Sequence, residues 1–262
     1  MSYTGFVGIM TQYCSNLKSP TVLEIGVDKG QTTLPLIHNL MLYNPDFKYV
    51  GVDIRMDHLL IEQMAQMKGI KSIVAKSDID SLSSYFSNPS WEDDTSWNSM
   101  YIEQNSLAFL PMLAESGAKF DLVLIDGDHN YPTVKQELKY LKDITHPSSL
   151  VICDDYNSKR HSGKDSFYRD TESHKHIKDS IDVIQAVDGK SGADQAINEW
   201  IEQNEDWNVS FTEDLEPAIL SSKYLKYSIE NMNMLYKAMA TFGVTPEGAH
   251  RFKIDNARRQ IS

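Results

Sequence analysis

The stretch Thr21-Val-Leu-Glu-Ile-Gly-Val-Asp-Lys-Gly30 limits what this chain can fold into more than any other. Thr21 to Ile25 is an apolar run of strand formers, a glycine turn follows, and apolar residues from Thr32 to Leu42 recur at helical spacing. A strand–turn–helix of this kind leaves backbone N–H groups unpaired at the helix start, and glycine lets a ligand approach the backbone. A dinucleotide loop would carry G-x-G-x-x-G so that a pyrophosphate could sit on the helix N-terminus. Here only Gly26 and Gly30 are present, and Glu24 and Asp28 put carboxylates where a phosphate is repelled and a sulfonium or amino group is attracted.

The rest of the chain repeats the alternation of strand and helix. Phe47 to Asp53 reads as a second strand ending on an acid, placed where a nucleotide-binding β–α–β unit puts the residue that accepts from both ribose hydroxyls. As a plainer alternative, Asp53 and Asp57 are also placed to cap the helix that runs to Met67. Ile70 to Ala75 is a short β-rich run, and Lys76 to Ser99 is a polar stretch that reads as an insertion, a lid or a partner-binding loop. Strands are expected again at Met100 and over Lys119–Ile125 and Ser149–Cys153, with helices over Leu107–Ala114 and from Pro132 to Leu141. A helix before Ser19-Pro20 opens the chain; Gly192 to Gln203 forms another, and Trp207–Thr212 with Ala218–Lys223 flank a turn. Residues 158–190 are polar, and their His161, His174 and His176 fit a solvated loop or a substrate lid better than a metal site.

The densest chemistry lies at two strand ends. One apolar strand runs into Asp126-Gly-Asp128-His129, and the next into Asp154-Asp155-Tyr-Asn157. In a doubly wound sheet, strands joined by a β–α–β connection lie side by side and open onto one crevice at their C-terminal ends. Four carboxylates meeting there are costly unless something neutralises them, and all-oxygen ligands suit a hard divalent cation such as Mg²⁺. Helix capping and ordinary loop charge are the plainer alternative.

The E-x-G-x-x-x-G loop resembles motif I of the class I S-adenosylmethionine-dependent methyltransferases. The runs F-D-L-V-L-I-D-G-D-H-N-Y and V-I-C-D-D-Y-N are similar to motifs of metal-dependent small-molecule O-methyltransferases of the catechol, macrocin and novobiocin types and of cephalosporin-hydroxylase-like proteins. The resemblance covers roughly residues 20 to 157, and more loosely 190 to 222. It implies a doubly wound, mostly parallel, seven-stranded Rossmann-like α/β sheet with an antiparallel C-terminal hairpin. The methyltransferase domain would span 1–222, with insertions at about 76–99 and 158–190 and a helical extension over 223–262. It names S-adenosyl-L-methionine as cofactor, bound through Glu24, Gly26, Gly30, Asp53, Asn105, Ser106 and Asp126, and Mg²⁺ or another hard divalent cation on Asp126, Asp154 and Asp155. Asp128 and its rival His129 are the candidates for the base that deprotonates a hydroxyl of a sugar, catechol-like or natural-product diol. Two other classes compete: an NAD-dependent oxidoreductase, against which the missing third glycine counts, and a non-catalytic binding module on the same fold.

Charge and composition narrow the partners. A formal net charge of -12 argues against a grip on nucleic acid or anionic membrane, so a small-molecule substrate is expected. Two cysteines give no disulfide framework, and no apolar run approaches membrane-span length, which together predict a cytoplasmic protein. The apolar spacing from Tyr224 to Phe242 suits a helix packed on its own domain or exchanged in a homo-oligomer.

Overall fold

A computed structural model of the protein describes residues 4–75, 78–154, 156, 192–210 and 217–225, with side chains from Val7 onward. The expectations for Asp155, for the 158–190 segment and for the helix beyond residue 225 lie outside these residues.

Eight strands form one sheet in the order β3-β4-β2-β1-β5-β6-β8-β7. The central strands are β1 (Thr21–Ile25), β2 (Lys48–Asp53), β4 (Ser99–Glu103), β5 (Phe120–Ile125) and β6 (Thr145–Cys153), all parallel. β1, β2 and β5, and the second half of β6 from Leu150 to Cys153, are mostly apolar and buried because both faces of such a sheet are covered. β8 (Ala218–Ser222) is antiparallel to β6, and β7 (Trp207–Ser210) is antiparallel to β8, which gives the expected terminal hairpin. The sheet holds one strand more than the seven expected: β3 (Ser72–Ala75), the short β-rich run, pairs along the outer side of β4 as an edge strand.

Helices cover both faces. Val22, Leu122 and Leu124 pack with α1 (Thr4–Cys14), α2 (Thr33–Tyr43) and α3 (His58–Gln66). The alternate residues Leu23, Ile25 and Val123 pack with α4 (Ile79–Phe86), α5 (Ser106–Ser116), α6 (Tyr131–Lys139), α7 (Leu141–Ile144) and α8 (Gly192–Gln203). The period-two alternation of strand side chains makes this division.

The polar stretch before β4 is not a lid. Asp78 caps α4 by accepting from the Ser81 backbone N–H, and Leu82 and Phe86, one helical turn apart, enter the core. Trp91 and Trp97 are buried beyond it, with Trp91 packed on Phe86 and Phe120 at centroid distances of 5.3 and 5.5 Å. Lys48, at the start of β2, fixes the connection: its ammonium lies 4.6 Å over the Trp97 ring and donates to the Trp97 and Asp94 carbonyls. The described part of this segment, from residue 78, is a packed connection leading into β4, and its aromatic residues supply core.

The chain order turns outward in both directions from β1, toward β2 on one side and β5 on the other. The crevice at such a switch point is where open α/β sheets bind ligands. No helix among the described residues is long and apolar enough to cross a membrane.

Candidate active site

The glycine loop begins where β1 leaves the sheet. Gly26 has φ +85°, and a Cβ built on it would lie 2.3 Å from the Cα of Gly127 and 2.4 Å from the carbonyl oxygen of Asp126. Only a residue without a side chain lets the β1 and β5 loops come together there. Gly30, at φ +74°, faces Leu60 of α3 in a similarly tight fit. Between them Asp28 adopts φ +43°, the one non-glycine among the described residues in the left-handed region.

Asp53 closes the loop from the side of β2. Its Oδ2 accepts from the backbone N–H groups of Val27 and Asp28 at 2.8 and 2.9 Å, and its Oδ1 accepts from that of Arg55 at 3.0 Å. The carboxylate is therefore oriented by the backbone before any ligand arrives. The helix-capping alternative falls to Asp57, which accepts from Leu59 and Leu60 at the start of α3.

Glu24 was expected to face the methionine end of the cofactor. Its side chain instead lies beneath the loop at 1 % exposure, with Oε2 accepting from the Tyr49 hydroxyl at 2.5 Å and from Thr33 Oγ1 at 2.9 Å. Burial pushes its carboxyl up to about 7, against the lowering effect of those two hydrogen bonds. It braces β1, β2 and α2 against one another. Nearby, the buried Thr32 hydroxyl at the start of α2 has no partner among the described residues. Sequence reasoning passed over Thr32; its signal is a hydroxyl residue between the glycine loop and the helix.

On the far side of Asp53, the side chain of Asn105 caps α5 by accepting from the Leu107 N–H at 2.9 Å. Ser106 Oγ donates to Glu137 Oε1 at 2.7 Å. Both follow Gln104, whose backbone N–H donates to the Asp53 carbonyl at 2.8 Å, but each already has a structural hydrogen bond.

The sheet brings the acids together as the strand ends require. Asp126 N–H donates to the Ile25 carbonyl at 2.8 Å, and Asp154 N–H to the Ile125 carbonyl at 2.9 Å, so the ladder continues past β5 and β6 and sets the two acids side by side. One ligand atom each from Asp126, His129 and Asp154 lies within 4.8 Å of the others, and all three residues are half-buried. His129 had been assigned as a base rather than as a member of the acid group. Asp128, its rival, has both oxygens engaged: Oδ1 accepts from the Asn130 backbone and side-chain N–H groups, and Oδ2 from Thr133 Oγ1 at 2.6 Å. It fixes the start of α6, and with both oxygens held by donors of its own loop and helix it is not turned toward a substrate hydroxyl.

The chain matches the family model described as "Methyltransferase domain" over residues 23–156, which is half of its length and contains every site residue just described. The chain belongs to this methyltransferase family. Solved structures share the fold at low identity. CalS11, a TDP-rhamnose 3'-O-methyltransferase of calicheamicin biosynthesis, is 14% identical with a TM-score of 0.50, covering 82% of this chain and 76% of its own. TomG, an O-methyltransferase of Streptomyces achromogenes solved with SAM, is 13% identical (TM-score 0.44; 83% and 79% covered). MycE of the mycinamycin pathway, solved with Mg and SAH, is 14% identical (TM-score 0.48), and this chain covers 51% of its length. No curated protein matches the chain in a sequence comparison.

Proposed function

We propose that this methyltransferase uses S-adenosyl-L-methionine and a divalent cation to methylate a hydroxyl of a small molecule, such as a sugar, a catechol-like ring or a natural-product diol. The observation that carries the reading is the convergence of Asp126, His129 and Asp154 next to the Gly26–Gly127 contact. The residues present fit both groups. The two glycines keep side chains out of the crevice, Thr32 has a buried hydroxyl to offer, and the Asp126 and Asp154 carboxylates form an oxygen donor set for a hard cation with the His129 imidazole beside it.

The loop backbone from Gly26 to Gly30 and the Thr32 hydroxyl would hold the methionine end, and the Asp28 carboxylate would favour the positive sulfonium. Asp53, already oriented by three backbone N–H groups, would present its remaining lone pairs to the ribose. Asn105 and Ser106 stand on the adenine side. Asp126 and Asp154 would hold the cation, with Asp155 next in the chain. Bound there, the cation would fix two neighbouring substrate oxygens and lower the pKa of the one to be methylated. His129 would take the hydroxyl proton on a ring nitrogen, while Asp128 keeps the loop that carries it in place.

The test is methyl transfer from S-adenosylmethionine to a panel of vicinal diols, with and without a chelator, on wild type, Asp154→Asn and His129→Ala. Chelator and Asp154→Asn should each remove turnover while S-adenosylhomocysteine still binds. His129→Ala should lose turnover yet keep Mn²⁺ affinity within about threefold, less than the roughly 1.4 kcal/mol of a tenfold change. Activity undiminished by the chelator would remove the cation from the reading, and loss of Mn²⁺ binding in His129→Ala would make that residue a ligand.

A further inference from the structure

Glu137 takes no part in the chemistry above, yet its side chain is the kind a core normally excludes. It lies in the buried face of α6 between the apolar Val134 and Leu138, with 1 % of its surface exposed. None of the ion pairs among the described residues includes it. Oε1 accepts from Ser106 Oγ at 2.7 Å; Oε2 is buried with no hydrogen-bond partner among the described residues. Burial pushes the carboxyl up to about 8, which marks how poorly the site tolerates the charge. A methionine or leucine would fill the same space without an orphaned oxygen, and such replacements of buried polar groups are often neutral or stabilising.

Its surroundings suggest a use. Ser106 is the first residue of α5, directly after the turn that leaves β4. The Asp128 carboxylate, in the β5–α6 loop, adds to burial in raising the Glu137 carboxyl, and Glu137 in turn adds to burial in raising the thiol of Cys153, the last residue of β6. One buried group thus adjoins the ends of β4, β5 and β6. Those three ends carry Asn105 and Ser106, then Asp126 and His129, then Asp154. We propose that Glu137 is a positioning residue that, through Ser106 and the packing of α6, fixes the adenine side of the crevice relative to the acid cluster. This use of Glu137 rests on the methyltransferase reading, but its effect on alignment exists without any ligand.

The experiment compares wild type with Glu137→Gln, Glu137→Met, Ser106→Ala and the double variant Glu137→Met/Ser106→Ala. Glu137→Met is expected to raise the thermal midpoint, since it removes the orphaned oxygen, and yet to weaken S-adenosylhomocysteine binding at least tenfold. Glu137→Gln keeps an acceptor for Ser106 and should stay within threefold of wild type. Ser106→Ala should reproduce the loss, and the double variant should add nothing to it, as expected for two residues acting through one contact. In the ligand-free proteins, amide hydrogen exchange at 106–109 and 129–131 should quicken in Glu137→Met and Ser106→Ala but not in Glu137→Gln. A merely structural role would lower stability and binding together, with no rescue by glutamine. Unchanged exchange at both segments, or S-adenosylhomocysteine affinity unaltered in Glu137→Met, would overturn the proposal. Failure of wild type to bind S-adenosylhomocysteine would instead overturn the functional reading and leave the exchange result to decide this one.

Discussion

Replacing Gly26 by alanine tests the geometry on which the site depends. An alanine held at φ +85° costs about 1–2 kcal/mol for its left-handed backbone alone. Its methyl would also stand 2.3 Å from the Cα of Gly127 and 2.4 Å from the Asp126 carbonyl, against the 3.4 Å or more of an ordinary contact. Both obstacles are backbone, so the ends of β1 and β5 must part, and overpacking of this kind costs about 1–3 kcal/mol more. The expected loss is about 2–5 kcal/mol, or a fall in thermal midpoint on the order of 10 °C for a chain of this size. Gly117 supplies the control. It has φ +78° but nothing within 4 Å of its built Cβ, so Gly117→Ala should show the backbone cost alone, about 1–2 kcal/mol. Urea denaturation of both variants gives the difference, and calorimetry with S-adenosylhomocysteine should show affinity lost in Gly26→Ala and kept in Gly117→Ala. If the two variants lose equal stability, the close approach of the loops is wrong.

Other expectations follow from the same structure. Glu137 is neutral in the fold until about pH 8 but ionises near 4.5 when unfolded, so the folded state binds the extra proton and stability falls as pH rises between those values. Denaturation from pH 5 to 9 should show a falling slope to which Glu137 contributes on the order of a few kcal/mol; Glu137→Gln should remove that share and leave the smaller one of Glu24, which ends near pH 7. Asp121 behaves in the opposite sense: burial alone would raise it, but hydrogen bonds from His146 and Thr21 outweigh burial and hold it below its ordinary 3.8. Its contribution is present above that pH and lost as pH falls below it, so the stabilities of wild type and Asp121→Asn should approach one another as pH falls below 3.8, checked by acid titration of the unfolding midpoint. Lys48→Met should loosen the 91–98 connection, since the buried Trp97 carbonyl and the half-buried Asp94 carbonyl lose their donor; a cost of about 1–3 kcal/mol is expected by urea denaturation, with S-adenosylhomocysteine affinity unchanged.

Much of the site could be read from the sequence because the physics that builds it is local. A parallel strand covered on both faces must be an apolar run, so Thr21–Ile25, Phe120–Ile125 and Leu150–Cys153 stand out, and the residues that follow them must share one edge of the sheet. That reasoning placed Asp126 and Asp154 together. It did not reach what depends on long-range packing. Glu24 looks like a ligand-facing acid until Tyr49 and Thr33, distant in sequence, are seen to enclose it. The stretch before β4 looked like an insertion because it is long and polar overall, although the Asp78 cap and the Leu82–Phe86 spacing were present. Glu137 reads as a surface charge on a helix whose exposed face carries Lys135 and Lys139, and only the fold turns it inward. His129 joined the metal candidates by geometry, since a loop histidine carries no spacing signal of its own.

The central claim is that the loop between β1 and α2, closed by Asp53, binds an adenosyl-sulfur cofactor. Calorimetric titration of wild type and Asp53→Ala with S-adenosylhomocysteine, and with NAD for comparison, tests it most directly. Saturable binding of S-adenosylhomocysteine at one site, lost at least tenfold in Asp53→Ala and absent for NAD, is the result this structure predicts. Binding of NAD in preference, or S-adenosylhomocysteine affinity indifferent to Asp53, would contradict it.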